Sequence, residues 1–120
     1  VAIDSEFIDA HYNLAVTYYS LYRFEEAQRE YEAVLVMRPN DVDALNNLGT
    51  IFGRFDDLKK AKELFDKALE IDSNFALTHR NLTAYYKLKG DVSKTAEHSR
   101  KARELDMDVF DKEPCPPHMN

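Results

Sequence analysis

Between residues 8 and 21 the apolar side chains Leu14, Ala15, Tyr18 and Leu21 fall at i, i+1, i+4 and i+7. That spacing draws one stripe along a helix, not the alternation of a strand. Ala27, Tyr31, Val34 and Leu35 draw a second stripe between residues 25 and 37. Tyr22-Arg23 joins the two stretches, and so short a link forces neighbouring helices antiparallel. Pro39-Asn40-Asp41 then ends the unit, because proline cannot continue a helix and aspartate can cap the next one. Later turns fall at Asp56-Asp57, Asp72-Ser73-Asn74 and Gly90-Asp91, where glycine suits a helix end and aspartate a helix start. The pattern predicts an all-α fold with helices near 8–21, 24–37, 42–55, 58–71, 76–89 and 92–105.

The stripes also repeat. At a shift of 34 residues Asn13-Leu14, Asn47-Leu48 and Asn81-Leu82 fall in one column. Tyr18, Phe52 and Tyr86 form another, four residues after the leucine. Ala27 and Ala61 recur, each followed four residues later by an aromatic, Tyr31 or Phe65. Val34, Ala68 and Ala102 keep a further position small. Several columns at one common period mark an internal repeat. One helix pair cannot hide its own apolar face, so such units bury it by stacking on neighbours. Small residues at Ala15, Gly49, Ala27 and Ala61 let paired helices approach, and the aromatics fill the space between them.

These residues resemble the tetratricopeptide repeat, whose period and signature they share. The first unit matches through Leu14-Ala15, Tyr18, Ala27, Tyr31 and Pro39. The second matches through Leu48-Gly49, Phe52, Ala61 and Phe65, with Ser73 in place of the proline. The third keeps Leu82 and Tyr86 and then departs, with Thr95, Ser99 and Met107 at positions of the small residue, aromatic and proline. The tryptophan usual early in each unit is replaced by His11, Leu45 and His79. The resemblance implies a right-handed superhelical stack of antiparallel helix pairs, an α-solenoid. Its units would be 8–41, 42–75 and a degenerate 76–109, followed by a Pro-rich tail over 110–120. Ile3-Asp4-Ser5-Glu6-Phe7 parallels Ile71-Asp72-Ser73-Asn74-Phe75, so residues 1–7 read as the remnant of a preceding repeat. A short cap is expected around Val109-Phe110.

In this family the first helix of each pair lines a concave groove that holds extended peptides or partner helices. The positions that the resemblance carries over are Asp9, Tyr12, Asn13, Val16 and Tyr19 from the first unit. Asp43, Asn46, Asn47, Thr50 and Arg54 follow from the second, then Leu77, Arg80, Asn81, Ala84 and Lys87 from the third. Asn13, Asn47 and Asn81 would form a ladder of amides suited to peptide main chain. The arrangement is similar to the asparagine ladder in the repeat arm of O-linked N-acetylglucosamine transferases. A clamp for chaperone tails does not carry over, since only Asn47 matches and Tyr12, Val16, Leu77 and Asn81 replace the rest.

Charge and chemistry narrow the function further. A formal charge of −6 disfavours nucleic acid, which needs a basic face. The single cysteine, Cys115, forms no internal disulfide and demands no oxidising compartment. No apolar run is long enough for a membrane helix and no signal-peptide pattern opens the chain. The reading therefore favours a soluble, cytoplasmic protein. Phosphate loops, nucleophile elbows and zinc-protease motifs are all absent, so no catalytic residue, cofactor or metal is expected. His11 and His79 are expected to pack, and His98 to lie near the surface. Asp111, Glu113, Cys115 and His118 include ligand types, but the intervening prolines argue against a metal site.

The expected function is a protein-interaction module with a protein or peptide ligand. Alternatives are the substrate-recruiting arm of a larger enzyme, such as a glycosyltransferase, or a structural spacer in an assembly. Weak self-association is also expected through the ends near Tyr12, Leu21 and Phe24 and near Leu88, Val92 and Leu105.

Overall fold

The computed structural model describes residues 5–112, with side chains described through residue 106. Those residues form α1 (Ser5–Ser20), α2 (Phe24–Met37), α3 (Val42–Arg54), α4 (Leu58–Ile71), α5 (Ala76–Lys89) and α6 (Val92–Lys112), with no strand among them. The fold is all-α and belongs to the helical-repeat, α-solenoid class, built of the pairs α1–α2, α3–α4 and α5–α6.

Each pair turns by the same backbone device. Tyr22, Asp56 and Gly90, spaced at the repeat period, all adopt left-handed φ values of 61°, 63° and 77°. The next residue donates back to the last helical turn: Arg23 to the Tyr18 carbonyl, Asp57 to Phe52 and Asp91 to Tyr86, at 2.9, 2.9 and 3.0 Å. Tyr22, Asp56 and Gly90 themselves donate to Tyr19, Gly53 and Lys87 at 3.0, 3.1 and 3.2 Å. This bond pair is the Schellman motif, and it satisfies carbonyls that the helix end would otherwise leave bare. Only Gly90 occupies the turn without a steric penalty. Asp41, Asp57 and Asp91 then cap α3, α4 and α6 by accepting from Ala44, Lys60 and Lys94 main-chain N–H groups at 3.0, 3.2 and 3.0 Å.

Helix bounds depart from expectation at both ends. Helix α1 begins at Ser5, so Ser5, Glu6 and Phe7 are helical where their counterparts Ser73 and Asn74 form a turn. Glu6 in that first turn suits a helix start electrostatically. Helix α6 passes residue 105 and runs to Lys112. Pro39 stops α2 at the equivalent point, and Met107 supplies no such stop. Ile3-Asp4 and the tail from Glu113 through Cys115 to His118 lie outside the described residues, and the side chains of Val109 and Phe110 do too.

The chain divides between Asp72 and Ser73 into two compact units. In the first, Ile8, Ala15, Ala27, Tyr31, Val34, Ala44, Leu45, Leu48, Ile51, Phe52, Ala61, Phe65 and Ala68 are buried. Each large side chain among them adds about 1.5–3 kcal/mol. Gly49 lies directly against Phe65: a Cβ there would stand 2.5 Å from Phe65 Cε1. In the second unit the described core is Leu82 and Ala102 together with Thr78, His79 and His98.

Candidate functional site

Helical spacing places Tyr12, Val16 and Tyr19 one turn apart on α1, and Asp43, Asn47, Thr50 and Arg54 likewise on α3. Side chains of the two sets meet. The Asn47 amide donates to the Tyr12 hydroxyl at 3.5 Å. Tyr12 in turn sets its ring edge-on to Tyr31, with centroids 5.8 Å apart at 78°. Further along, the Arg54 guanidinium lies 5.0 Å from the Phe24 ring centre and 5.8 Å from that of Tyr19. Tyr19 and Phe24 themselves pack edge to face at 5.3 Å. The result is an aromatic and amide strip with a carboxylate toward one end and a guanidinium at the other.

The electrostatics of the strip are unbalanced end to end. Burial lifts the Asp43 carboxyl above the usual range, and the neighbouring Asp41 charge adds to the lift. Burial likewise raises the Tyr12 phenol, reinforced by Asp43 and Asp41 and opposed by the Asn47 bond. Tyr31 is raised further, mainly by burial. Neither Asp43 nor Arg54 has an ion-pair partner among the described residues. They stand eleven positions apart on α3, about 16 Å at the helical rise.

The other expected positions are placed variously. Asp9 is drawn aside by Arg38, whose guanidinium donates to it at 3.1 Å. Asn13 is exposed and Val16 is 40% exposed. Asn46 is fully buried and its amide donates to the Val42 carbonyl at 3.1 Å, so it lines no open surface. The first apolar turn of α3 pulls Asn46 inward, where an i−4 carbonyl satisfies it. In the second unit Leu77 and Asn81 are half-buried on α5, while Ala84 and Lys87 are exposed. Arg80 donates to both Asp106 carboxylate oxygens, at 2.8 and 2.7 Å.

His98 corrects the sequence reading more sharply. It is 7% exposed, in the core of the second unit against His79, not at the surface. Phe24 and Tyr31, which complete the strip from α2, were not among the expected site residues. A signal for Tyr31 existed in the spacing. His11–Glu30, Tyr12–Tyr31 and His79–His98 all touch, and each pair is separated by 19 residues. No group of three or more potential metal ligands occurs among the described residues, and no described helix is long and apolar enough to cross a membrane.

A family model described as tetratricopeptide repeat matches residues 6–74. The chain belongs to the tetratricopeptide repeat family. Tetratricopeptide repeats are protein-interaction modules, and their partners are other proteins. An uncharacterized protein ycf37 from Pyropia yezoensis is 38% identical over 80 residues, covering 65% of this chain and 45% of the relative. Among solved structures, MamA superposes with a TM-score of 0.77 at 19% identity, over 87% of this chain and 61% of that one. A MamA fragment from Desulfovibrio magneticus gives 0.76 at 27% identity, over 84% and 57%. The type III secretion translocator chaperone SycD of Yersinia enterocolitica gives 0.80 at 19% identity, over 87% and 72%. The chain thus spans under half of the curated relative and about three fifths of the MamA chain.

Proposed function

We propose that this tetratricopeptide chain is a non-enzymatic binding module that holds an extended peptide segment of a partner protein across the α1 and α3 face. The observation that carries the reading is the strip from Asp43 to Arg54, whose opposite charges form no ion pair among the described residues. Between them Tyr12, Tyr19 and Val16 offer apolar area, and Asn47 and Thr50 offer polar atoms. Asn13 stands exposed at the rim of α1, and Asn81 keeps the same repeat position on α5. Amides suit this task because one side chain both donates to and accepts from peptide main chain without selecting side chains.

The test selects peptides from a random display library on the immobilised chain and measures their affinity by fluorescence anisotropy. Asn47→Ala should weaken binding about three- to tenfold, the size of one lost hydrogen bond. Arg54→Glu should weaken it at least as much and shift selection away from acidic peptides. Val36→Ser, at a position 81% exposed on α2, should leave affinity unchanged. Selected peptides that bind all three variants as they bind the parent chain would overturn the assignment.

A further inference from the structure

His79 on α5 and His98 on α6 face each other inside the second unit, 5% and 7% exposed. Their Nδ1 atoms are 2.9 Å apart and their rings are stacked at 30°. His79 Nε2 lies 2.8 Å from the Ser73 carbonyl oxygen, which can only accept, so that nitrogen carries a proton. In neutral His79 the Nδ1 atom is therefore bare and accepts from His98 Nδ1–H. One proton between the two rings makes the bond. Two protons place N–H against N–H.

We propose that this pair is an acid-sensitive latch between α5 and α6, closed while the two imidazoles share at most one proton between their facing nitrogens and forced open when both are protonated. Tyr86 of α5 stacks parallel on His98 with centroids 5.6 Å apart. The segment before α5 presents the Ser73 carbonyl and Asn74. An adjoining cavity of about 440 Å³ is lined by Glu97, Arg100, Lys101 and Glu104 of α6, two carboxylates against two cations. Glu97 is paired with Lys94 at 3.8 Å and Glu104 with Arg100 at 3.9 Å. The cavity gives water a route to the rings, and its own charges are already balanced.

The sign follows from proton counting. Two imidazoles in an unfolded chain each take a proton near pH 6.5, whereas the closed pair holds one fewer. The closed state is thus stable above that pH and loses ground as pH falls below it. At pH 5, one excluded proton shifts the equilibrium about thirtyfold toward opening.

The repeat supplies its own control. At the register of His79 and His98, the α3–α4 pair carries Leu45 and Leu64. The experiment measures amide exchange on the whole chain, comparing protection factors of α5 and α6 with those of α3 and α4 between pH 7.5 and pH 5. In the parent chain, α5–α6 protection should fall about thirtyfold relative to α3–α4. In His79→Leu with His98→Leu the relative fall should vanish. An unchanged α5–α6 protection in the parent chain would overturn the latch, and so would a fall that persists in the leucine variant. The ring proton signals of the parent chain give a second reading that needs no variant. Two independent, complete histidine titrations with no change in the α5–α6 amide signals would also overturn it.

Discussion

Helix pairs α3–α4 and α5–α6 share their turn and their cap. Each turns on a left-handed residue, Asp56 or Gly90, with the same two main-chain bonds, and each second helix is capped by an aspartate, Asp57 or Asp91. Their interiors differ. Phe65 fills the α3–α4 gap by lying on Gly49, whereas the same register in α5–α6 holds Ser99 and Thr83. Those two residues line a surface depression of about 210 Å³ with Arg80, Ala102, Arg103 and Asp106. Leu45 and Leu64 give way to the stacked histidines, and Tyr86 swings its ring onto His98. Turn chemistry is therefore enough to build the hairpin, and what fills the gap decides how firmly it is held. The α3–α4 gap is filled by an aromatic ring on a glycine, and the α5–α6 gap holds two imidazoles within hydrogen-bond distance.

The largest effect should come from emptying the better-filled gap. Phe65→Ala should cost about 3–5 kcal/mol, by loss of transfer energy and the cavity left behind. Ser99→Ala, at the equivalent register, should change stability by no more than about 0.5 kcal/mol. Urea denaturation of both variants checks the contrast, and equal losses would break it. Filling the gap too far tests the same contact. Gly49→Val should cost about 1–3 kcal/mol by driving its side chain into the Phe65 ring. Gly53→Ala, where an added Cβ meets nothing within 4 Å, should stabilise by up to about 1 kcal/mol.

A smaller effect belongs to what the pairs have in common. Tyr22 pays for its left-handed φ of 61° with little burial in return, being 75% exposed. Tyr22→Gly should raise stability by about 1 kcal/mol, and Gly90→Ala should lower it by a similar amount. Thermal unfolding of the two variants should give shifts of opposite sign. The smallest effect lies at Asp43, whose carboxyl is raised by burial and by Asp41. A raised acid favours the fold while protonated and loses that contribution as pH climbs through its folded value. Asp43→Asn should thus be more stable than the parent chain at pH 7 and equal to it at pH 3, as read by denaturation at the two pH values.

Much of this architecture was legible from the repeat columns. Pro39, Asp41, Asp57, Gly90 and Asp91 act locally on the residues beside them, so their positions alone marked the helix ends. Where the local signal was missing the boundary moved, as at Met107, where α6 runs on to Lys112. The candidate site was less legible, because it depends on which side chains meet across helices. Asn46 and Asn47 are adjacent and chemically identical, yet one turns inward to Val42 and the other reaches across to Tyr12. His98 looked like a polar residue on an exposed face until its distance of 19 residues from His79 set the two rings together. Composition carries no such information; the repeat register, applied to pairs instead of single columns, does.

The binding assignment is tested most directly by an amide chemical-shift map of the chain with a peptide selected from a random library. The largest perturbations should fall on Tyr12, Val16 and Tyr19 of α1 and on Asn47, Thr50 and Arg54 of α3, with Val36 and the rest of the exposed α2 face unmoved. Saturable binding whose perturbations lie on α2 and α4 and spare α1 and α3 would contradict the assignment.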